Sequence, residues 1–476
     1  MAQYLEERKP FMTLIKSISG IRGTIGGKAG ENLTPIDVVK FTTAFFNSIK
    51  ENTTEHKPTM ILGRDARVSG EILSKLVAAT LQSLGANVID IGLTTTPTIE
   101  MAITKQEADG GIILTASHNP MHWNALKLLN SRGEFISGKD AENLLQAVEE
   151  QNFSYAEARE LGSYTQYENA IAEHIDAIMQ LELVDAEAIQ KANFSVVIDC
   201  VNSTGSISIP QLLQQLGVAK IKLLNEEPTG IFAHNPEPLA DHLYEISAEL
   251  KKGGHHVGFV VDPDVDRLAI IMEDGEMFGE EYTLVAVSDY ILQHTKGSTV
   301  SNLSSTRALN DLCRQHDVDC YKSAVGEVNV VEMMKEKNAV IGGEGNGGVI
   351  YPELHYGRDA LVGIALFLSY LAKSGKDCSE IKRGYSSYHI SKNKIELTPE
   401  MNVKNILQQI AEQYKQYDVS TIDGVKVDFE NSWVHLRPSN TEPIIRIYAE
   451  AATESMADNI ANKIKLDIRE IIHNSN

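Results

Sequence analysis

"PTMILGRDARVSGEILSKLVAATLQSLGANVIDIG", Pro58 to Gly92, reads as a strand, a polar loop, an amphipathic helix and a second strand. An aliphatic run stops at Arg64 and Asp65, a Leu/Ala-rich segment follows, and "NVIDIG" closes the unit. The same order recurs in "FSVVIDCVNSTGSISIPQLLQQLGVAKIKLLN" (Phe194 to Asn225) and in "STVSNLSSTRALNDLCRQHDVDCYKSAVG" (Ser298 to Gly326). A strand–helix–strand unit puts parallel strands in one covered sheet. The copies differ too much, and are spaced too widely, for a solenoid, so they predict three related α/β domains. From about Lys392 the order becomes strand, helix, three strands and helix, an α+β pattern. The predicted domains are residues 1–166, 167–272, 273–385 and 386–476.

Length agrees with that division. A chain of 476 residues, at about 150 per domain, predicts three or four units. The net charge of −22, from 43 Lys+Arg against 65 Asp+Glu, argues against a nucleic-acid partner. It leaves phosphorylated substrates open, since a few local cations suffice to hold a phosphate. Cys200, Cys313, Cys320 and Cys378 form no CxxC pair and read as reduced thiols, which points to a cytoplasmic setting. "ALVGIALFLSYLA" (Ala360 to Ala372) is shorter than the roughly 20 residues of a membrane span and predicts a buried helix. The first residues lack the apolar core of a secretory signal, and those before about Met12 read as a polar extension.

Ligands of open α/β sheets bind beyond the carboxyl ends of strands, so the loops there carry the chemical reading. "GIILTASHNP" (Gly111 to Pro120) ends an aliphatic strand in turn-forming residues around Ser117. Ordinary turn chemistry explains it; so does a displayed nucleophile, although the glycines of a G-x-S-x-G elbow are missing. "GFVVDPDVDRLAIIM" sets Asp262, Asp264 and Asp266 between two hydrophobic runs. Carboxylates so close repel unless a cation neutralises them, and hard divalent ions take oxygen ligands. An EF-hand is disfavoured by Arg267 at its glycine position. A phosphatase using the first aspartate of D-x-D is the other rival, and no clear partner lysine and acidic pair follow. "GGEGNGGVIYPELHYGRDA" (Gly342 to Ala360) surrounds Glu344 and Asn346 with glycines, suiting sugar hydroxyls or a merely flexible loop. "LRPSNTEPIIR" gathers Arg437, Ser439, Asn440, Thr441 and Arg446, a donor set for a phosphate dianion or a hairpin turn. "SISGIRGTIGG", with Arg22, and "ILGRDARVSG", with Arg64, Asp65 and Arg67, read as possible structural turns.

In their order, "SGIRG", "TASHNP", "DPDVDR", "GGEGNGG" and "RPSNTEP" resemble the α-D-phosphohexomutase family, over nearly the whole chain from about Leu14. That resemblance implies three similar mixed α/β sandwich domains and a smaller C-terminal α+β domain around a central cleft. It implies a phosphoserine at Ser117, with Asp262, Asp264, Asp266 and the Ser117 phosphate holding Mg²⁺. Lys127 would stand beside the reacting hydroxyl in a role in proton transfer, and could take the hydroxyl proton if the desolvated cleft depresses its pKa. Arg22, His118 and Arg267 would line the cleft, and Glu344 and Asn346 would meet the sugar. Arg437, Ser439, Asn440, Thr441 and Arg446 would grip the phosphate not being transferred. The implied reaction exchanges hexose 6-phosphate and hexose 1-phosphate through a hexose 1,6-bisphosphate, which also serves as activator. Glucosamine phosphate is the expected substrate, with mannose and glucose phosphates as the alternative, in a monomer or homodimer. Two departures bear on the sugar: Ala125 in "NALK" replaces a usual glycine, and "GEGNGG" replaces Gly-Glu-x-Ser-Gly-His. The latter resembles an archaeal-type branch of phosphoglucosamine and phosphomanno-mutases.

Overall fold

A computed structural model describes residues 12–17, 20–51, 53, 56–398, 401–438 and 444–475. Its strands fall into four sheets. The first holds β1 (Ile15–Ser17), β2 (Gly20–Thr24), β3 (Thr59–Arg64), β4 (Asn87–Leu93), β5 (Gly110–Leu114), β6 (Trp123–Asn130) and β7 (Tyr164–Gln166). The second holds β8 (Ser195–Asp199), β9 (Lys220–Leu224), β10 (Val257–Val261) and β11 (Leu268–Met272). The third holds β12 (Thr299–Asn302), β13 (Cys320–Ser323), β14 (Ile341–Glu344) and β15 (Gly348–Ile350). The fourth holds β16 (His389–Glu396), β17 (Asp418–Ser420), β18 (Val425–Asp428), β19 (Trp433–Pro438) and β20 (Ile444–Ala451), all antiparallel.

The three repeats share one topology. Each contains a run of four strands in the order second, first, third, fourth: β4-β3-β5-β6, β9-β8-β10-β11 and β13-β12-β14-β15. The first three members pair in parallel, and the fourth returns antiparallel to the third. The parallel reading therefore holds for three strands of each set, and a hairpin adds the fourth. Each of these hairpin turns coincides with a chemical loop. Ser117 lies between β5 and β6, the aspartates between β10 and β11, and Asn346 between β14 and β15.

The cores do not follow the repeats one to one. Side chains of the first sheet form their own clusters, and so do those of the fourth. The second and third sheets share a single cluster that includes Ile198, Phe259, Ile341 and Val349. The helix Ala360–Ser374 runs through it, with every residue from Ala360 to Leu371 buried. Asp359 caps this helix by accepting from the amides of Leu361 and Val362. The apolar stretch is thus a buried helix, as its length predicts. No helix among the described residues is long and apolar enough to cross a membrane.

Candidate active site

Ser117 sits in a tight, buried turn with φ of +48°. Its conformation is held by a network rooted in Asp65 and Arg67, both fully buried. The Ser117 amide donates to Thr115 Oγ1 at 2.9 Å, and that hydroxyl donates to Asp65 Oδ2 at 2.7 Å. Arg67 donates Nε to the same Asp65 oxygen at 3.0 Å. Its two terminal nitrogens hold four loop carbonyls, those of Ser117, Asn119, Pro120 and Trp123. A planar guanidinium with five donors is the side chain that can do this.

Ser117 Oγ donates to Asp262 Oδ2 at 2.5 Å. The serine loop of the first sheet and the aspartate loop of the second therefore meet. Asp262 Oδ1 accepts from the amides of Asp266 and Arg267, both at 3.1 Å, which folds the loop around it. Val265 takes a left-handed φ of +61° at the apex. Outside contacts pin the turn: Thr96 N donates to the Asp264 carbonyl, and Ala360 N to that of Val265.

All three aspartates are fully buried, and their oxygens lie within 4.8 Å of one another. Lys127 and Arg358 answer them at close range, and Arg267 Nε lies 3.8 Å from Asp266 Oδ1. Lys127 Nζ reaches Asp264 Oδ2 at 2.6 Å and Asp266 Oδ2 at 3.1 Å. Arg358 reaches Asp266 Oδ2 and Glu344 Oε2, each at 2.7 Å, and Glu327 Oε2 at 3.1 Å. Burial disfavours the Asp266 carboxylate, but Arg358 and Lys127 outweigh it and hold its pKa far below the usual range. Burial, with Asp266 and Asp264 nearby, instead pushes Asp262 well up.

Oδ1 of Asp264 and Oδ1 of Asp266 have no hydrogen bond among the described residues. Asp266 Oδ1 has only Arg267 Nε, 3.8 Å away, and buried carboxylate oxygens left without a hydrogen bond are costly. A set made only of oxygens at this spacing suits a hard divalent cation. The residues present therefore fit Mg²⁺.

The condition set for Lys127, a depressed pKa, is not met among these side chains. Burial does disfavour its ammonium, but Asp264 and Asp266 outweigh burial, and its pKa lies above the ordinary lysine value. His118 shifts the other way beside Ser117. Burial and then Arg267 push its pKa well down, and its Nδ1 lies 3.4 Å from Ser117 Oγ.

Arg22, Arg267 and Arg446 come together from the first, second and fourth sheets' modules. Burial, followed by repulsion from Arg446 and Arg267, lowers the Arg22 pKa. Arg22 Nε is buried without a hydrogen-bond partner. Such a concentration of guanidinium calls for an anion. Arg437 faces Asp423 Oδ2 at 2.7 Å, and Ser439, Asn440 and Thr441 lie outside the described residues. Glu344 is buried and already engaged, accepting from Asn302 Nδ2, Gly326 N and Arg358. Asn346 braces its own turn by accepting from Gly348 N. Gly347 there has φ of +87°, and a Cβ would approach the Leu268 carbonyl to 2.4 Å.

Arg358, Glu327 and Thr96 escaped the sequence reading. Thr96 Oγ1 donates to Asp264 Oδ2 at 2.5 Å, and its partner is 168 positions away. Arg358 did stand inside a quoted stretch, as the lone arginine between Gly357 and the helix-capping Asp359.

Residues 14–155, 172–275 and 279–388 match the family models of phosphoglucomutase/phosphomannomutase alpha/beta/alpha domains I, II and III. Residues 395–466 match the model of the C-terminal domain. A phosphoglucomutase/phosphomannomutase of Thermococcus kodakarensis is 37% identical, covering 91% of this chain and 95% of the relative. A phosphoglucosamine/phosphogalactosamine mutase of Sulfurisphaera tokodaii is 32% identical over 94% and 97% of the two chains. Among solved structures, a phosphoglucomutase/phosphomannomutase family protein of Burkholderia thailandensis superposes with a TM-score of 0.82 at 23% identity, covering 97% of each chain.

Proposed function

Because the chain belongs to the phosphoglucomutase/phosphomannomutase family and is a phosphohexomutase, we propose that it interconverts glucosamine 6-phosphate and glucosamine 1-phosphate through phospho-Ser117. The observation that carries the reading is Ser117 Oγ placed 2.5 Å from Asp262, whose neighbours Asp264 and Asp266 each keep one buried oxygen without a hydrogen bond. The amino-sugar assignment is supported by relatives at 30–32% identity, one named a phosphoglucosamine/phosphogalactosamine mutase and two named probable phosphoglucosamine mutases. The 37% identical relative favours a second reading, broad activity on glucose and mannose phosphates.

In the proposed cycle, the bond from Ser117 Oγ to phosphorus breaks as the substrate's free hydroxyl oxygen bonds to it. Ser117 Oγ leaves as a hydroxyl, taking up the proton the substrate gave. The resulting 1,6-bisphosphate turns over, and the bond from the other phosphorus to its sugar oxygen breaks as Ser117 Oγ bonds to it, the Ser117 proton passing to that sugar oxygen. Phosphoryl transfer of this kind is served mainly by positioning and charge neutralisation. Asp262, Asp264 and Asp266 would hold Mg²⁺, which supplies positive charge to the transferring group. Lys127 and Arg358 fix the aspartates. His118, whose Nδ1 lies 3.4 Å from Ser117 Oγ, is our candidate for receiving the hydroxyl proton. Arg22, Arg267, Arg437 and Arg446, with Ser439, Asn440 and Thr441, would hold the idle phosphate. Glu344 and Asn346 would face the sugar. We take residues 1–166, 167–272, 273–385 and 386–476 as the four domains that deliver these groups.

The test joins mass and kinetics. Intact mass should show one phosphate that Ser117→Ala lacks, with loss of mutase activity. Chelation should stop turnover and Mg²⁺ should restore it. Activity retained by Ser117→Ala would sink the mechanism. kcat/KM for the three hexose 1-phosphates, with a bisphosphate activator, decides the sugar.

A further inference from the structure

Away from the aspartate trio, a second buried group of titratable side chains joins three parts of the chain. Glu100 comes from the helix Thr96–Lys105, and His174 from the helix Ala170–Met179. His355 lies in the loop after β15, and Asp359 caps the buried helix Ala360–Ser374. His174, Asp359 and Glu100 are each at most 2% exposed.

Both imidazoles point the same nitrogen at the same atom. His174 Nε2 lies 2.9 Å, and His355 Nε2 3.4 Å, from Asp359 Oδ2, and the three atoms lie within 4.8 Å of one another. Tetrahedral bonds of about 2.0–2.1 Å separate ligand atoms by about 3.3 Å, so the two spacings bracket that of a coordinated ion. The rings stand perpendicular, with centroids 6.0 Å apart, so their edges converge without stacking.

An oxygen also lies behind each opposite nitrogen. His174 Nδ1 is hydrogen-bonded to Thr98 Oγ1 at 3.0 Å, and His355 Nδ1 lies 3.2 Å from Glu100 Oε2 without an aligned hydrogen bond. An oxygen behind the remote nitrogen is the arrangement usual for metal-ligating imidazoles. Neither carboxylate oxygen of Glu100 has a well-aligned hydrogen bond among the described residues. Gly357 lets that carboxylate come close, because a Cβ there would lie 1.7 Å from Glu100 Oε2.

We propose that His174, His355 and Asp359 form a second metal site, for a borderline first-row ion of the zinc class, with Glu100 and Thr98 orienting the two imidazoles. Two nitrogens and one oxygen select such an ion, whereas the trio of oxygens selects a hard one. The site joins the helices Ala170–Met179 and Ala360–Ser374. Through Thr98 and Glu100 it also fixes the helix that begins at Thr96, the residue holding Asp264. Its role is to tie the modules of the first three sheets together beside the catalytic loops.

Full-length protein, stripped by chelator and then saturated with Mg²⁺, is titrated with Co²⁺ and separately with Zn²⁺. Equimolar Co²⁺ uptake is expected, with visible d–d absorption, displacement by Zn²⁺ and an X-ray absorption signature of imidazole. Bound Zn²⁺ should raise Tm. Glu100→Gln should weaken Co²⁺ binding about 10–100-fold. His174→Gln with His355→Gln should abolish the d–d absorption, while Asp262→Asn should leave it intact. The wild-type measurement decides alone if the variants fail to fold. No uptake of Co²⁺ or Zn²⁺ over Mg²⁺, or no imidazole signature, overturns the proposal. Loss of the absorption in Asp262→Asn also overturns it, by assigning the ion to the aspartates.

Discussion

Arg67 shows how much of a catalytic loop can rest on one side chain. Its bonds to Asp65 and to four carbonyls give Ser117 its left-handed backbone. Removing it leaves Asp65 buried without its cation, and burial already pushes that carboxyl up against the pull of Arg67. Arg67→Ala should therefore cost on the order of 3–5 kcal/mol, read as a fall in Tm. In the fraction still folded, kcat should fall more than KM if Ser117 is the proposed nucleophile, because Ser117 is displaced while Arg22, Arg267 and Arg446 stay. Arg67 was visible in the sequence only as one charge of a possible turn. Ser117 and the aspartates were legible because polar residues interrupt apolar strands there. Arg358 was not, because its partners Asp266, Glu327 and Glu344 lie in three other segments and no local pattern signals a buried guanidinium.

Hairpins are the elements that matter here. The three strand–helix–strand units were legible from hydrophobic runs. The antiparallel fourth strand of each was not, because a short buried strand looks alike in either direction. The fourth sheet carries a row of cations across three of its strands. Lys394, Arg446 and Arg437 stand opposite one another on β16, β20 and β19. Like charges directly across a sheet are destabilising, by up to about 1 kcal/mol per pair, unless an anion joins them. Arg446 is exposed, so Arg446→Ala should leave Tm unchanged or slightly raised. It should raise KM for the phosphosugar about 10–100-fold, the equivalent of about 1.5–3 kcal/mol. A large fall in Tm instead would make the arginine structural.

At the scale of the molecule, the second and third modules are fused through one core, while the fourth keeps its own. Polar contacts make the seam between third and fourth modules, among them Ser304 Oγ to His435 Nδ1 at 2.9 Å and Val325 N to Asp423 Oδ2 at 3.0 Å. Burial, against the hydrogen bond to the Asp423 carbonyl, lowers the His435 pKa from 6.5 to about 4. Between those values the unfolded chain binds a proton that the folded chain refuses. The contribution is complete above about pH 6.5 and is lost as pH falls through about 4, up to about 3 kcal/mol. Melting curves across that window should drop more steeply for the wild type than for His435→Gln; equal slopes would exclude the effect.

The separate core of the fourth module also bears on time. The serine and aspartate loops lock into one another, and the sugar hairpin bonds to β11 through Gly347 and Leu268. If the proposed bisphosphate must turn between two transfers, the module with its own core is the one free to move for it, and such a motion would work against the friction of the solvent. Turnover should slow as inert viscogens thicken the medium, in proportion to relative viscosity if the swing limits the rate, whereas a chemistry-limited enzyme would not respond.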